Sequence, residues 1–256
     1  MGGLVPRLLL IGIGVGDPDH VTVQAVRALD AFDVLFVVTK EGVDEPLALR
    51  RTVVDRHRTA GDYRTVELAD PPRAREIDGD HRAAVDAWRA ARTATWSRAI
   101  ADGLGEDETG AFLVWGDPSL YESTLAIVQG VAAASPTPLP IEVIPGVSSV
   151  HVLTARHGIP LNRVGRAVQI TPARLLADGM PADVDDVVVM LDARATFAAI
   201  PAEGIDIYWG AYLGTEDELL RSGPLAEVGA EIATLRAEAK ARKGWMFDTY
   251  LLRRTA

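Results

Sequence analysis

Three short stretches carry the residue types that could hold a small ligand. They are "GIGVGDP" (Gly12–Pro18), "WGDPSLYEST" (Trp115–Thr124) and "IPGVSSV" (Ile144–Val150). Each contains glycine, which lets backbone approach a ligand closely, and each leads into a helical pattern. Gly12, Gly14 and Gly16 miss the GxGxxG spacing of a dinucleotide loop, and no lysine follows as in a Walker loop. Two of the three stretches read Gly-Asp-Pro instead. An acid aimed at a phosphate repels it, whereas an acid and carbonyl-rich turns accept hydrogen bonds from hydroxyls and an ammonium and offset a sulfonium. The pattern therefore suits a cationic nucleoside such as S-adenosylmethionine better than a dinucleotide. For any single Gly-Asp-Pro the competing reading is a tight turn with an N-capping acid.

The elements that must position these loops are legible as apolar runs and helical patterns. Strands are expected at Leu8–Ile13, Val34–Val38, Ala111–Trp115 and Ile141–Ile144, separated by helices at Val21–Leu29, Arg82–Ala101 and Ser123–Ala133. Strands alternating with helices indicate βαβ units and a parallel sheet, and strands apolar throughout fit a sheet covered on both faces. The three loops then fall at strand carboxyl ends, where open α/β sheets bind ligands. From Thr39 to Gly110 the text turns polar, with Arg50, Arg51, Arg56, His57, Arg58 and "DPPRAREIDGDHR", and reads as a loop or insertion flanked by helices. A second part follows "TARHGIPLNRVG". Its strands are expected at Ala167–Thr171, Asp186–Leu191, Ile205–Leu213 and Trp245–Leu251, with helices near Arg194–Ile200 and Leu225–Lys240.

The 256 residues suffice for one large domain or two modest ones, and 48% hydrophobic with 24% charged content is that of a globular protein. No stretch approaches the ~20 apolar residues of a spanning helix. The N-terminus lacks signal-peptide organisation, so a cytoplasmic location is expected. Zero cysteines exclude disulfides, thiolate metal sites and a cysteine nucleophile. The net charge of −10 opposes non-specific binding to nucleic acid or an anionic membrane, but leaves room for a local basic pocket. His20, His57, His81, His151 and His157 show no HExxH-type spacing, and no metal is expected.

"GIGVGDPDHVTVQAVRAL", "WGDPSLYEST", "VIPGVSSVHVLTARHGIPL" and "VVVMLDAR" together, in order and spacing, resemble the tetrapyrrole methylase family over nearly the whole chain. The resemblance implies an S-adenosylmethionine-dependent enzyme of two α/β domains, here residues 1–160 and 161–256. It further implies an N-terminal mostly parallel sheet, a C-terminal mixed sheet, the cofactor in the cleft between the domains, and a homodimer. Carried over by motif, cofactor contacts come from Trp115, Gly116 and Asp117, from Ser148 and Ser149, from Met190, and from Gly210 and Ala211. Val15 stands where the family usually has the proline of Gly-Pro-Gly. The segment Thr39–Gly110, "RHGIPLNRVG" and "GWMFDTYLLRR" are similar to the branch that methylates precorrin-5 at ring carbon 1 and releases acetate. The family also contains methylases of other precorrins and of uroporphyrinogen, and its wider superfamily contains RNA methylases. A non-catalytic tetrapyrrole carrier is the rival outside enzymes.

Methyl transfer from a sulfonium is an in-line displacement, in which the protein holds donor and acceptor and excludes water. Acyl release, which the branch resemblance implies, additionally requires water at a carbonyl, and Asp17, His20, Tyr121 and Glu122 are the polar side chains expected nearest that event. Bland readings stand beside these. Asp17 could cap the helix starting near His20, His20 could be a helix-start residue, Tyr121 could pack on its own loop, and Met190 could be core. The aromatics between Trp245 and Tyr250 read as packing, and Asp248 has no evident role. Because a precorrin is a polycarboxylate, part of the set Arg50, Arg51, Arg56, Arg58 and Arg194 is expected to serve as carboxylate clamps, the remainder being solvated.

Overall fold

The computed structural model describes residues 5–39, 45–72, 81–176 and 179–255. By contact the chain divides into two units. The first comprises the chain up to Gly14 with Pro18–Val147, and the second Val15–Asp17 with everything from Ser148 onward.

In the first unit, strands β1 (Arg7–Gly12), β2 (Val34–Thr39), β3 (Arg64–Ala69), β4 (Thr109–Val114) and β5 (Ile141–Ile144) form one sheet in the order β3-β2-β4-β1-β5. Every pairing in it is parallel. Helices α1 (Val23–Leu29), α2 (Glu45–His57), α3 (His81–Gly103) and α4 (Thr124–Ala134) connect the strands. The apolar run of β1 follows from double coverage. Leu9 and Ile11 pack with Leu29, Phe32 and Val53 on one face, while Leu8 and Leu10 pack with Trp96, Phe112 and Ile127 on the other.

The segment Thr39–Gly110 is not the loop or insertion that its polarity predicts. It contains α2, the edge strand β3 and all of α3, the last of these being the helix expected at Arg82–Ala101. Within β3 only Leu68 is buried, as suits an edge strand carrying charge against unwanted pairing. Most of "DPPRAREIDGDHR" lies outside the described residues.

The second unit opens with α5 (Ser149–His157) and builds a mixed sheet from β6 (Val168–Pro172), β7 (Asp186–Met190), β8 (Ile205–Ala211), β9 (Leu219–Pro224) and β10 (Asp248–Arg254), in the order β6-β7-β10-β8-β9. Only β6 and β7 pair in parallel; the other neighbours are antiparallel. Helix α6 (Leu225–Lys243) buries Leu225, Ile232 and Ala239 against Trp209, Tyr250 and Leu252. The helix expected near Arg194–Ile200 is a single 3-10 turn, Thr196–Ala199, and the last strand begins at Asp248 rather than Trp245. The expectation of a parallel sheet followed by a mixed one holds. No helix among the described residues is long and apolar enough to cross a membrane.

The sheet order places the ends of β4, β1 and β5 side by side, and there glycine backbones meet directly. Gly14 and Gly116 form a β-bridge, with Gly116 N donating to Gly14 O at 2.7 Å. A Cβ on Gly12 would stand 2.5 Å from Gly146 N, and one on Gly146 would overlap the Gly116 carbonyl oxygen. Gly146→Ala should therefore cost at least the ~1–3 kcal/mol of an overpacked core, because the clash is with backbone that cannot rotate away. Urea unfolding followed by tryptophan fluorescence checks this: a lowered midpoint is expected, and an unchanged one would mean the turn moves freely.

Candidate functional site

Within the first unit the loop after β4 is held from two sides. Asp117 Oδ2 accepts from Gly146 N at 2.9 Å, tying this loop to the Pro145–Gly146 turn. Its Oδ1 accepts from Ser119 N at 2.8 Å and from the Ser119 hydroxyl. The Asp117 carboxylate thus closes an Asx turn and clamps a neighbouring loop. Glu122 accepts from the Thr124 N–H at the start of α4, where Ser123 makes no side-chain cap bond. Tyr121, between them, is 43% exposed with its backbone in the left-handed region at φ +50°.

The turn after β1 departs from the capping reading. The N-cap of α1 is Thr22, whose hydroxyl accepts from Ala25 N at 3.0 Å, so Asp17 does not cap this helix. His20 lies in the 3-10 turn Pro18–His20 and fills the space where a Cβ on Gly14 would go. That turn is tied to α2, with His57 Nε2 2.7 Å from the Pro18 carbonyl oxygen and Arg56 paired with Asp19 at 3.0 Å. Asp17 is counted with the second unit and His20, Tyr121 and Glu122 with the first, so neither unit alone holds all four.

In the second unit four of the five predicted contacts collect around one residue that sequence reasoning missed. Tyr250 pairs with Val189 of β7 on one side and with Trp209 of β8 on the other. Both flanking strands run opposite to β10, so Met190 and Gly210, each one step further, come to the same end of the sheet on either side of Thr249. Ala211 continues β8 from there and is fully buried, so only its backbone is available. The Thr249 hydroxyl donates to Ser149 Oγ at 3.1 Å. Ser148, the N-cap of α5, directs its Oγ to His151 Nδ1 at 2.9 Å instead of capping the helix. A Cβ on Gly210 would meet Leu153 of α5 at 2.9 Å, which accounts for glycine there.

Beyond these strand ends the backbone is strained. Among the described residues the non-glycine residues with positive φ are Tyr121, Leu191, Ala195 and Tyr212. Tyr121 follows the 115–117 loop, Leu191 and Ala195 follow Met190, and Tyr212 follows Gly210–Ala211, which are the segments singled out from sequence. Such conformations cost ~1–3 kcal/mol each and persist only where surrounding structure holds them.

Around Leu191 and Ala195 the holding groups are explicit. Asp192 accepts from Arg194 N at 2.9 Å, Thr196 N at 2.6 Å, the Thr196 hydroxyl at 3.0 Å and the Tyr250 hydroxyl at 2.8 Å. Its carbonyl accepts from Arg236, whose Nε pairs with Asp248 at 2.8 Å. Trp209 Nε1 also donates to Asp248, at 3.1 Å, so Asp248 has the structural role its sequence context hid. Burial pushes the Tyr250 phenol well above its ordinary range, with the Asp192 charge acting in the same direction. Burial also raises Asp248, against the pull of Arg236. The Tyr250 proton is thus held on oxygen and donated to Asp192.

The arginine set divides. Arg58 clasps the Leu29, Phe32 and Gly61 carbonyls, and Arg56 is tied up with Asp19, so neither serves as a free clamp. Arg194 is exposed in the second unit. Arg50 and Arg51 line a cavity in the first unit, and they share it with the buried Arg92, which sequence reasoning did not single out. Among the described residues no group of three or more His, Cys, Asp or Glu side chains could hold a metal ion.

A parallel five-stranded sheet followed by a mixed one, with left-handed residues after strand ends in each, defines a two-unit α/β protein. The family profile described as tetrapyrrole (corrin/porphyrin) methylases matches residues 7–229, and the chain belongs to that family. It is 46% identical over 254 residues, 98% of this chain and 96% of the relative, to the precorrin-6A synthase [deacetylating] of Sinorhizobium sp. It is 30% identical over 178 residues, 67% of this chain and 66% of the relative, to a precorrin-2 C(20)-methyltransferase of Sinorhizobium sp. A crystal structure of a cobalamin synthesis related protein (CobF) from Corynebacterium diphtheriae superposes with a TM-score of 0.83 at 36% identity, covering 98% of this chain and 100% of that one. The uroporphyrin-III C-methyltransferase of Thermus thermophilus, solved with S-adenosyl homocysteine, shares the fold at a TM-score of 0.59 and 19% identity, covering 96% of this chain and 92% of that one.

Tyr250→Phe deletes one donor to the Asp192 carboxylate and leaves the ring packing in place. Losing a hydrogen bond to a charged group costs ~1.5–3 kcal/mol. The variant should unfold at lower urea concentration, with faster amide exchange confined to the Leu191–Thr196 turn. Exchange equal to wild type in that turn would show that Tyr250 does not hold it.

Proposed function

We propose that this chain transfers a methyl group from S-adenosylmethionine to ring carbon 1 of precorrin-5 and releases the two-carbon acyl unit as acetate, giving precorrin-6A. The observation that carries this reading is the 46% identity, spanning nearly the whole of both chains, with a precorrin-6A synthase [deacetylating]. The donor, when bound, supplies an electrophilic methyl on a sulfonium, and the pyrrole carbon of the acceptor is already electron-rich. What remains for the protein is to bind, align and exclude water.

The residues present fit such a donor. Met190 and Gly210 flank a threonine-serine hydroxyl pair, and the neighbouring Leu191 presents an apolar side chain that is 61% exposed. In this reading Met190, Gly210, Ala211, Ser148 and Ser149 contact the donor, joined by Trp115 and Gly116. Asp117 contributes by fixing that loop through Gly146 N, so the contact falls to backbone rather than to its carboxylate. Asp17, His20, Tyr121 and Glu122 are the groups proposed to deliver water to the acyl carbonyl. The protein works without a metal, as a homodimer in the cytoplasm, and its net charge of −10 supports a small-molecule acceptor over nucleic acid or a membrane.

Mass spectrometry of the full chain with precorrin-5 and methyl-labelled S-adenosylmethionine tests the reading. One labelled methyl on ring carbon 1 and one equivalent of acetate are expected. Methylation of another precorrin, with no acetate released from precorrin-5, would assign the chain to a different member of the family.

A further inference from the structure

In the second unit β6 and β7 run parallel with Pro172 opposite Met190, so the turns that follow them emerge side by side at one end of the sheet. The 3-10 turn after β6, Ala173–Leu176, buries Ala173 and Leu176 in the same cluster as Phe197 and Ile200 from the turn after β7. A 3-10 turn repeats about every three residues, so Arg174 and Leu175, between those anchors, must face outward. Both are exposed, Leu175 at 66%.

The turn after β7 sorts its residues in the same way. Asp192 is buried, and both its carboxylate oxygens accept hydrogen bonds. With Asp192 held inward, Leu191, Ala193 and Arg194 are left exposed. Leu191 is 61% exposed and yet holds a left-handed φ of +56°, which glycine would adopt at less cost. An exposed apolar side chain kept on a strained backbone is a feature of ligand sites. Phe247, 50% exposed, continues the apolar row at the start of β10, the neighbour of β7.

Charge selects the occupant. Among the described residues no acid pairs with Arg174 or Arg194, and the carboxylate of their own turn, Asp192, is already occupied. The loop after β8, across the same sheet, carries Glu216, Asp217 and Glu218, and its cations are spent on them. Arg156 pairs with Glu218 at 3.0 Å, Arg242 with Asp217 at 3.2 Å, and Lys243 with Asp217. One side of this sheet end is therefore apolar and cationic, the other acidic. A polycarboxylate with an apolar body fits the first and is repelled by the second. It would also lie beside Met190, as an acceptor must if its carbon is to reach a methyl group held there.

We propose that Leu175, Leu191 and Phe247 pack against the face of the tetrapyrrole acceptor while Arg174 and Arg194 hold two of its carboxylate arms, so fixing which edge of the macrocycle is turned toward the donor. The inference rests on the methylase reading above.

Uroporphyrin, a stable coloured octacarboxylate, is the probe, and benzenehexacarboxylate supplies charge with little apolar face. Uroporphyrin titrated into the full chain should quench tryptophan fluorescence saturably, and benzenehexacarboxylate should compete at least tenfold more weakly. Arg174→Gln and Arg194→Gln should each weaken uroporphyrin about threefold, and together about tenfold. Arg98→Gln, exposed on α3, should change nothing. Leu191→Asn, which tolerates the left-handed backbone, should weaken uroporphyrin about fivefold. Circular dichroism confirms that each variant is folded. In turnover, the doubly substituted chain should show a KM for precorrin-5 raised about tenfold, with S-adenosylhomocysteine affinity unchanged. Uroporphyrin binding indifferent to both arginines, or matched by benzenehexacarboxylate, overturns the proposal. So does an equal fall in S-adenosylhomocysteine affinity, which would put the arginines at the donor. An unchanged KM in a chain that does methylate precorrin-5 overturns the proposal and leaves the functional reading intact. If precorrin-5 is not methylated but uroporphyrin binding depends on Arg174 and Arg194, the functional reading fails and the surface stands as the site for another tetrapyrrole.

Discussion

Glycine backbone packed on glycine backbone at the carboxyl edge of the first sheet is the constraint on which the rest of that unit depends. Gly12, Gly14, Gly116 and Gly146 come from three separate loops; a Cβ on Gly12 or Gly146 would collide with another loop, one on Gly14 would collide with His20, and Gly116 holds a left-handed φ of +68°. The contact exists only because β4, β1 and β5 are adjacent and parallel, so that three loops emerge side by side. Asp117 then locks the arrangement by accepting from Gly146 N. The glycines of the first loop are thus committed to their neighbours, and the edge they form is a rigid frame for the 115–124 loop rather than a phosphate cradle.

The second unit solves a related problem by other means. Its strand ends are followed by Leu191, Ala195 and Tyr212 in the left-handed region, where no glycine relieves the steric cost. The compensation is a buried polar network. Four donors converge on the Asp192 side chain, Arg236 reaches its carbonyl, and the Tyr212 hydroxyl donates to the Trp245 carbonyl at 2.6 Å. Hydrogen bonds to a charged group contribute ~1.5–3 kcal/mol each, the same order as the ~1–3 kcal/mol of strain per residue. Burial of Asp248 and Arg236 at 2% and 8% side-chain exposure is tolerable because each is the other's partner. The outcome is a set of turns held open at one end of the sheet, around Met190, Thr249 and Gly210.

What could be read from the sequence divides along physical lines. Strands covered on both faces, such as β1 and β4, are apolar throughout and announce themselves. Of the four edge strands, β5 and β6 were expected, but two were not: β3 reads Arg-Thr-Val-Glu-Leu-Ala with one buried side chain, and β9 ends in Ser-Gly-Pro, which imitates a turn. The loops were recognisable as special from their glycines and acids, but the backbone each glycine approaches lies in another loop far along the chain. Asp117 looked like a ligand group, and its carboxylate is occupied by Gly146 and Ser119. Asp248 looked idle because its partners, Trp209 and Arg236, are distant in sequence. Thr249 was invisible for the same reason, since its importance comes from lying between two strands and opposite Ser149.

The central claim is that the strained strand ends of the second unit, not the glycine turn after β1, receive the nucleoside. A crystal structure of the full chain with S-adenosylhomocysteine measures this directly. The nucleoside should lie against Met190 and the Gly210–Ala211 backbone, with Leu191 and Tyr212 retaining their left-handed conformations. A nucleoside seated along Gly12–Gly16 in a phosphate-type pose, with nothing near Met190, would contradict it.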